Sequence, residues 1–325
     1  MYFSHRFVIR KNKACHYVNV FLTEGRKILL KKKPIALALG GGGARGFAHI
    51  GVLRVLEKAE IPIAVITGTS MGAIVGAVYA QLLSAEAVEK KFRDLLKSPE
   101  FKTSGMHYAG KKKLQESWFD QLANQIRERI VVNVASHRKA AINIERLYSA
   151  LDFLLKDDLI ERTKVPFGAV ASDLIDGEEV IITKGSIREA VAASAALPGF
   201  LPPIDLNSRL LVDGAVTSPV PIRAARALVD EDTKVVAVDV SQELPKEPKL
   251  DNIIDLVLRS YHITAKCYHE ELIKEADVLV QPRVKDFHWS EFDKIEWLIN
   301  EGQFAAEEKL EEIEDATKAG IFNLM

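Results

Sequence analysis

Apolar positions along the 325-residue chain follow two periods, and their alternation predicts its elements. Ile35-Ala-Leu-Ala-Leu39 is a continuous apolar run, short enough for a buried strand, and a glycine loop follows it. Beyond the loop Ala48, Gly51, Val52, Val55 and Leu56 recur at helical spacing, and residues 63–67 read as a second strand. After a turn at 68–70, small and apolar residues from 71 to 83 suit a helix buried on most of its faces. Strand, helix, strand, helix is the opening of an α/β domain. Strand patterns resume at 166–171, 179–183, 209–212, 234–240 and 277–281, with helical stretches between them at 186–196, 221–229 and 251–274. Residues 84–165 differ: charged helical stretches at 85–97, 111–130 and 144–156 predict a helical insertion or cap. Within it Leu114, Trp118, Leu122, Ile126 and Ile130 form a stripe edged by Lys and Arg, expected to pack on the body. Gly105 and Gly110 flank a short segment suited to a hinge. The expected layout is a doubly wound α/β domain over 34–285 that carries this insertion. A basic arm, 1–33, precedes it, and a helical tail, 286–325, follows, its acidic stretch 307–315 reading as a surface helix.

Charge refines that layout. With 44 Lys+Arg against 45 Asp+Glu, nothing suggests a nucleic-acid partner. The balance is uneven, because residues 1–33 hold nine Lys/Arg and only Glu24 as an acid. These interleave with Phe3, Phe7, Tyr17, Phe21 and Ile28-Leu-Leu30, which suits a peripheral anchor on an anionic membrane surface. A second reading stands beside it: 17–22 is a β-friendly run, so the arm is an extra strand used in homodimer contacts. Cys15 and Cys267 make no disulfide framework and no metal spacing, so a cytoplasmic setting is expected, peripheral to the membrane if the arm is an anchor. The first residues lack an apolar core and cleavage site, and no secretory signal is expected. Residues 61–85 are uncharged and would score as a membrane span, but Pro62, Gly68, Gly72 and Gly76 divide them into a strand and a separate helix.

Two motifs at strand-to-helix junctions carry the chemistry. Gly40-Gly-Gly-Gly-Ala-Arg-Gly46 admits three readings. A dinucleotide fingerprint needs an acid at the end of the next strand, where Ile66-Thr67-Gly68 stands instead, and a P-loop needs a Gly-Lys-Ser/Thr ending. In the third, backbone N–H groups of consecutive glycines converge as an oxyanion hole in front of a helix N-terminus. Gly68-Thr69-Ser70-Met71-Gly72 is a G-x-S-x-G between strand and helix, the context of a nucleophile elbow, and makes Ser70 the candidate nucleophile. Asp213, in Leu211-Val212-Asp213-Gly214-Ala215 at the end of an apolar strand, is the candidate acid, although Asp-Gly also serves simply to turn a chain. His49 is expected to be a core histidine. His262, His269 and His288 follow Asp213 in the order a conventional triad would require.

Together these residues resemble the patatin-like phospholipases, serine acyl hydrolases with a Ser-Asp dyad and no catalytic histidine. The glycine loop 40–46, the elbow 68–72, Ala193-Ser-Ala-Ala-Leu-Pro198 and Asp213-Gly214-Ala215 match the family's blocks in order. The resemblance implies a three-layer α/β/α fold with a mostly parallel sheet. It implies that Ser70 is the nucleophile, Asp213 its base, and Gly41, Gly42 and Gly43 the oxyanion hole, with Arg45 holding that loop or the developing charge. The implied substrate is a phospholipid or lysophospholipid, cleaved through an acyl-enzyme without metal or organic cofactor. Two alternatives remain at this level: a non-catalytic membrane-binding adaptor that retains the fold, and a Ser-His-Asp esterase of small soluble esters.

Overall fold

The computed structural model describes residues 32–99, 101, 143–244, 248, 250–284 and 286–318, and the backbone of four short strands ahead of them. Those strands are β1 (Ile9–Lys11), β2 (Ala14–His16), β3 (Asn19–Thr23) and β4 (Arg26–Leu30), which pair antiparallel as β1 with β2 and β3 with β4. The body then runs β5 (Ile35–Leu39), α1 (Ala48–Lys58), β6 (Ile63–Thr69), α2 (Met71–Leu82), α3 (Ala85–Lys97) and α4 (Glu145–Leu154). It continues with β7 (Phe167–Asp173), β8 (Glu179–Ile182), α5 (Ile187–Ser194), β9 (Ile204–Leu206), β10 (Arg209–Asp213) and α6 (Ile222–Ala227). β11 (Val235–Val238), α7 (Ile253–Leu272), β12 (Val278–Val280), α8 (Ile295–Glu308) and α9 (Leu310–Ala316) complete it.

In one sheet β12, β11, β5, β6 and β7 follow one another, β8 and β10 each also pair with β7, and β9 pairs with β10. The pairs from β12 to β7 are parallel, and β8, β9 and β10 join antiparallel. Strand β5 shows why the sheet carries helices on both faces. Successive side chains alternate across a strand, so Ile35, Leu37 and Leu39 enter the larger core with α1, α2, α5 and α8. Ala36 and Ala38 enter a second core with Val220, Ile222, Ala225 and Leu272. Helices on both sides of a mostly parallel sheet make the expected three-layer α/β/α fold.

The register of β7 sets the active end of the sheet. Val170 pairs with Thr69 of β6 on one side and Ile181 of β8 on the other, while Ala171 pairs with Val180 of β8 and Asp213 of β10. A strand has two edges, so β6 and β10 must lie on the same edge of β7, running toward each other and ending at adjacent partners. The end of one strand delivers Ser70 to the end of the other, which is Asp213.

The uncharged stretch 61–85 resolves into β6 and α2, both inside the domain. No helix among the described residues is long and apolar enough to cross a membrane. Helices α3 and α4 occupy the ends of the insertion, and the stripe from Leu114 to Ile130, like Gly105 and Gly110, lies outside the described residues. Residues 286–316 pack against the core through part of their side chains. Phe292 stacks edge-on against Phe47 at 5.9 Å, and Ile313 of the acidic stretch is fully buried. Helix α8 crosses α1 so closely that a Cβ on Gly302 would sit 1.8 Å from the carbonyl oxygen of Ala48. Relief requires the two helices to separate, since the obstacle is backbone. Gly302→Ala is therefore expected to destabilise the protein by about 1–3 kcal/mol or more, and the neighbouring half-exposed Gln303→Ala to leave it nearly unchanged; thermal melts of the two variants check this.

Candidate active site

Ser70 sits between β6 and α2 with φ 54° and ψ −121°, a conformation that costs a non-glycine residue about 1–3 kcal/mol. Its neighbours hold it there. A Cβ on Gly72 would lie 2.1 Å from the Leu39 carbonyl oxygen, so only glycine lets α2 start this close to β5. Gly68, at the other side of the turn, packs on the backbone of Ala73. The Ser70 N–H donates to Ser194 Oγ at 3.0 Å, and Ser194 Oγ donates to the Val170 carbonyl at 2.6 Å. Ser194 thus fixes the elbow to β7. Sequence reasoning placed it in a matching block but assigned it no role; the signal available was a lone hydroxyl in the alanine-rich run 190–196.

Asp213 is 1% exposed. Its Oδ1 accepts the Ala215 N–H at 2.9 Å, and the Ser70 hydroxyl lies near the carboxylate. Burial pushes the Asp213 carboxyl up to about 6 against the downward pull of these two groups. Gly214 lies against the Val170 carbonyl, where a side chain has no room. Beyond it residues 217–221 stitch the site together: Thr69 Oγ1 donates to the Ser218 carbonyl (2.8 Å), Thr67 Oγ1 to that of Pro221 (3.0 Å), and the Gly41 N–H to that of Pro219 (2.9 Å).

That last bond changes the expected oxyanion loop. Gly41 has already committed its N–H, as has Ala44, which donates to the Trp289 carbonyl at 2.6 Å. The N–H groups of Gly42 and Gly43 between them have no acceptor among the described residues. Gly41 contributes by closeness, its missing Cβ leaving room for the Ser70 Cβ at 3.3 Å. Arg45 is buried, and its Nε and Nη1 donate to the carbonyls of Val240 (3.0 Å) and Phe287 (3.0 Å) and to Gln242 Oε1 (3.1 Å). Burial lowers its pKa to about 10, so it stays charged, and these three bonds hold the loop.

No histidine is a partner of this acid among the described residues: the groups that act on Asp213 are the Ala215 N–H and the Ser70 hydroxyl. His49 is fully buried with Nε2 on the Gly40 carbonyl at 2.8 Å, and burial pushes its pKa down to about 4, so the neutral ring steadies the glycine loop. His269 Nε2 lies 3.1 Å from both Asp239 Oδ2 and Ser241 Oγ. A relay uses two ring nitrogens, and here acid and hydroxyl share one. Burial alone would raise Asp239, but His269 and Ser241 outweigh it and hold the carboxyl well below its usual range. His288 turns Nδ1 to Ser290 Oγ at 2.7 Å.

A half-buried serine on a strained turn, beside a buried carboxylate and a glycine loop, is therefore assembled without a histidine. The family model for patatin-like phospholipase matches residues 37–226. The chain belongs to the patatin-like phospholipase family. An uncharacterized NTE family protein of Mycobacterium tuberculosis is 31% identical over 222 residues, 67% of this chain and 53% of that protein. Human patatin-like phospholipase domain-containing protein 6 is 29% identical over 217 residues, 66% of this chain and 14% of the human one. The chain thus spans about half, or much less, of the relatives it matches. Among solved structures, VipD from Legionella pneumophila aligns over 93% of this chain and 70% of its own, with 13% identity and a TM-score of 0.45.

In this patatin-like protein the buried acid links folding to pH. The carboxyl ionises at its ordinary value of 3.8 when unfolded and near 6 when folded. Between those values the fold keeps a proton that the unfolded chain has lost, so stability falls as pH rises through the window, by about 3 kcal/mol once above it. Asp213→Asn removes that loss. Its melting temperature is expected to exceed that of the wild type by roughly 5–10 °C at pH 8, with the gap closing toward pH 4; parallel melting curves in that range would refute the buried charge.

Proposed function

We propose that the chain is a serine acyl hydrolase that cleaves the acyl ester of a phospholipid or lysophospholipid through an acyl-enzyme. The observation that carries this reading is the juxtaposition of half-buried Ser70 and fully buried Asp213 at the meeting strand ends, the acid's affinity for a proton being raised by burial. An ordinary aspartate is too weak a base for a serine hydroxyl; one near 6 is less so, and the N-terminus of α2 favours the developing alkoxide.

In the proposed cycle the Asp213 carboxylate takes the Ser70 proton while Oγ attacks the ester carbonyl. The tetrahedral oxyanion receives the N–H groups of Gly42 and Gly43, the donors left without an acceptor. Collapse breaks the bond to the leaving alcohol, which takes the proton back from Asp213. Water then gives a proton to Asp213 and attacks the acyl carbon, and the fatty acid departs as Ser70 is restored. Beside the elbow, Met71 lines a small apolar cavity of about 40 Å³ with Phe47, Ile74, Phe92, Leu151 and Phe292. Outside the site, the nine Lys/Arg of residues 1–33 suit an anionic leaflet as the place of work.

A fluorophosphonate probe followed by peptide mapping tests the chemistry, with one adduct expected on Ser70 and none on Ser70→Ala. Asp213→Asn is expected to retain the fold and lose roughly a thousandfold or more in turnover. Wild-type kcat/KM is expected to rise with pH and level above about 6, as the carboxyl loses its proton. Labelling at another serine, or full turnover in Asp213→Asn, would overturn the proposal.

A further inference from the structure

Helix α7 buries polar groups and exposes apolar ones. On the side turned to the body are Asp255 and His262, 8% and 5% exposed, and His269, bonded to Asp239. On the opposite side Ile253 is 76% exposed, Val257 62%, Leu256 51%, Ile263 46% and Tyr268 38%. At 3.6 residues per turn these five occupy about 140° of the helix circumference. Helices on globular proteins have the reverse pattern, and a contiguous exposed apolar stripe marks an interaction surface.

Where the stripe lies identifies what meets it. Tyr268 Oη donates to the Thr217 carbonyl at 2.9 Å, in the segment that follows Asp213. Val216 beside it, and Leu174 and Ile175 just past the end of β7, are also exposed. Apolar groups therefore continue from the helix to the chain segments next to the candidate dyad. From Ile253 to Tyr268 this face carries no charged side chain, and Lys266 and Glu270 pair with each other at its edge (3.1 Å). A stripe about 22 Å long and about 10 Å wide offers about 220 Å² per copy, well short of the about 800 Å² per partner that a stable protein interface needs. A lipid surface requires no such area and no shape match.

We infer that the outer face of α7 seats the protein on the uncharged interfacial zone of a phospholipid leaflet, with the Ser70 site turned toward its substrate. The inference rests on the hydrolase reading and gives that site a lipid surface to work on. It differs from attraction through the basic arm in having no dependence on anionic lipid and little on salt.

The test floats full-length Ser70→Ala protein, which cannot digest the vesicles, with neutral phosphatidylcholine vesicles in high salt. Adding Leu256→Asp and Val257→Asp is expected to lower partitioning roughly tenfold or more, with circular dichroism and melting unchanged because both positions are exposed. Val257→Trp, with circular dichroism and melting again unchanged, is expected to raise partitioning. With Ser70 intact, the double Asp variant should hydrolyse a soluble short-chain ester at the wild-type rate and vesicle phospholipid roughly tenfold more slowly. Unchanged partitioning in the Asp and Trp variants would overturn the inference and leave the hydrolase reading in place. Conversion of a dimer to a monomer with vesicle binding retained would overturn it in favour of a second copy. Loss of vesicle binding in the double variant, with no ester turned over by any form, would support docking and remove the hydrolase reading.

Discussion

Two strands ending on one edge of β7 are the constraint from which the rest of the site follows. β6 and β10 approach each other along that edge and stop at Val170 and Ala171, so the residues at their ends are neighbours through the sheet, although 143 positions separate Ser70 from Asp213 in sequence. Backbone pairing fixes such a junction more rigidly than side-chain packing can. Ser194 reinforces it by bonding the Ser70 N–H and the Val170 carbonyl at once. β10 runs antiparallel to β7, and it brings an acid to the place where a parallel strand would put another loop.

Around this junction the fold buries charge and satisfies it selectively. Arg45 and Asp239 are both buried, and each meets several partners that keep it ionised. Asp213 has fewer, and burial leaves its carboxyl near 6. Burial acts on both carboxyls, and the outcomes differ because Asp239 has His269 and Ser241 beside it while Asp213 has no such charge partner. An under-satisfied carboxylate weakens the fold at neutral pH and makes a better base there, a trade of stability for reactivity common at functional sites.

Much of this was legible in the sequence because it obeys local steric rules. Gly72 has no room for a side chain, Gly68 and Gly214 are tight for the same reason, and the alternation in Ile35–Leu39 separates the two cores. What escaped depends on contacts far along the chain. The use of the Gly41 N–H is decided by Pro219, the anchoring of Arg45 by Val240 and Phe287, and the place of the 286–316 segment by Gly302 lying on Ala48. Strand β9 was missed for a smaller reason. Its hairpin turns at Asn207-Ser208, both at positive φ, without the glycine that usually signals such a turn.

The inverted pattern of α7 connects these observations. A carboxylate raised by burial works only while water stays away, and Ser70 must still be reached from outside. A protein meeting its substrate in bulk water would need a closing cover to reconcile the two. One whose exposed apolar side chains run from Ile253 to Tyr268 and on to Val216 and Ile175 has another solution, since a lipid surface pressed against them both supplies the ester and excludes the water. On this argument the surroundings that raise Asp213 are completed by the leaflet, and the polar groups that α7 turns inward, His269 on Asp239 among them, tie the docking helix to the strand end that holds Arg45 and the glycine loop.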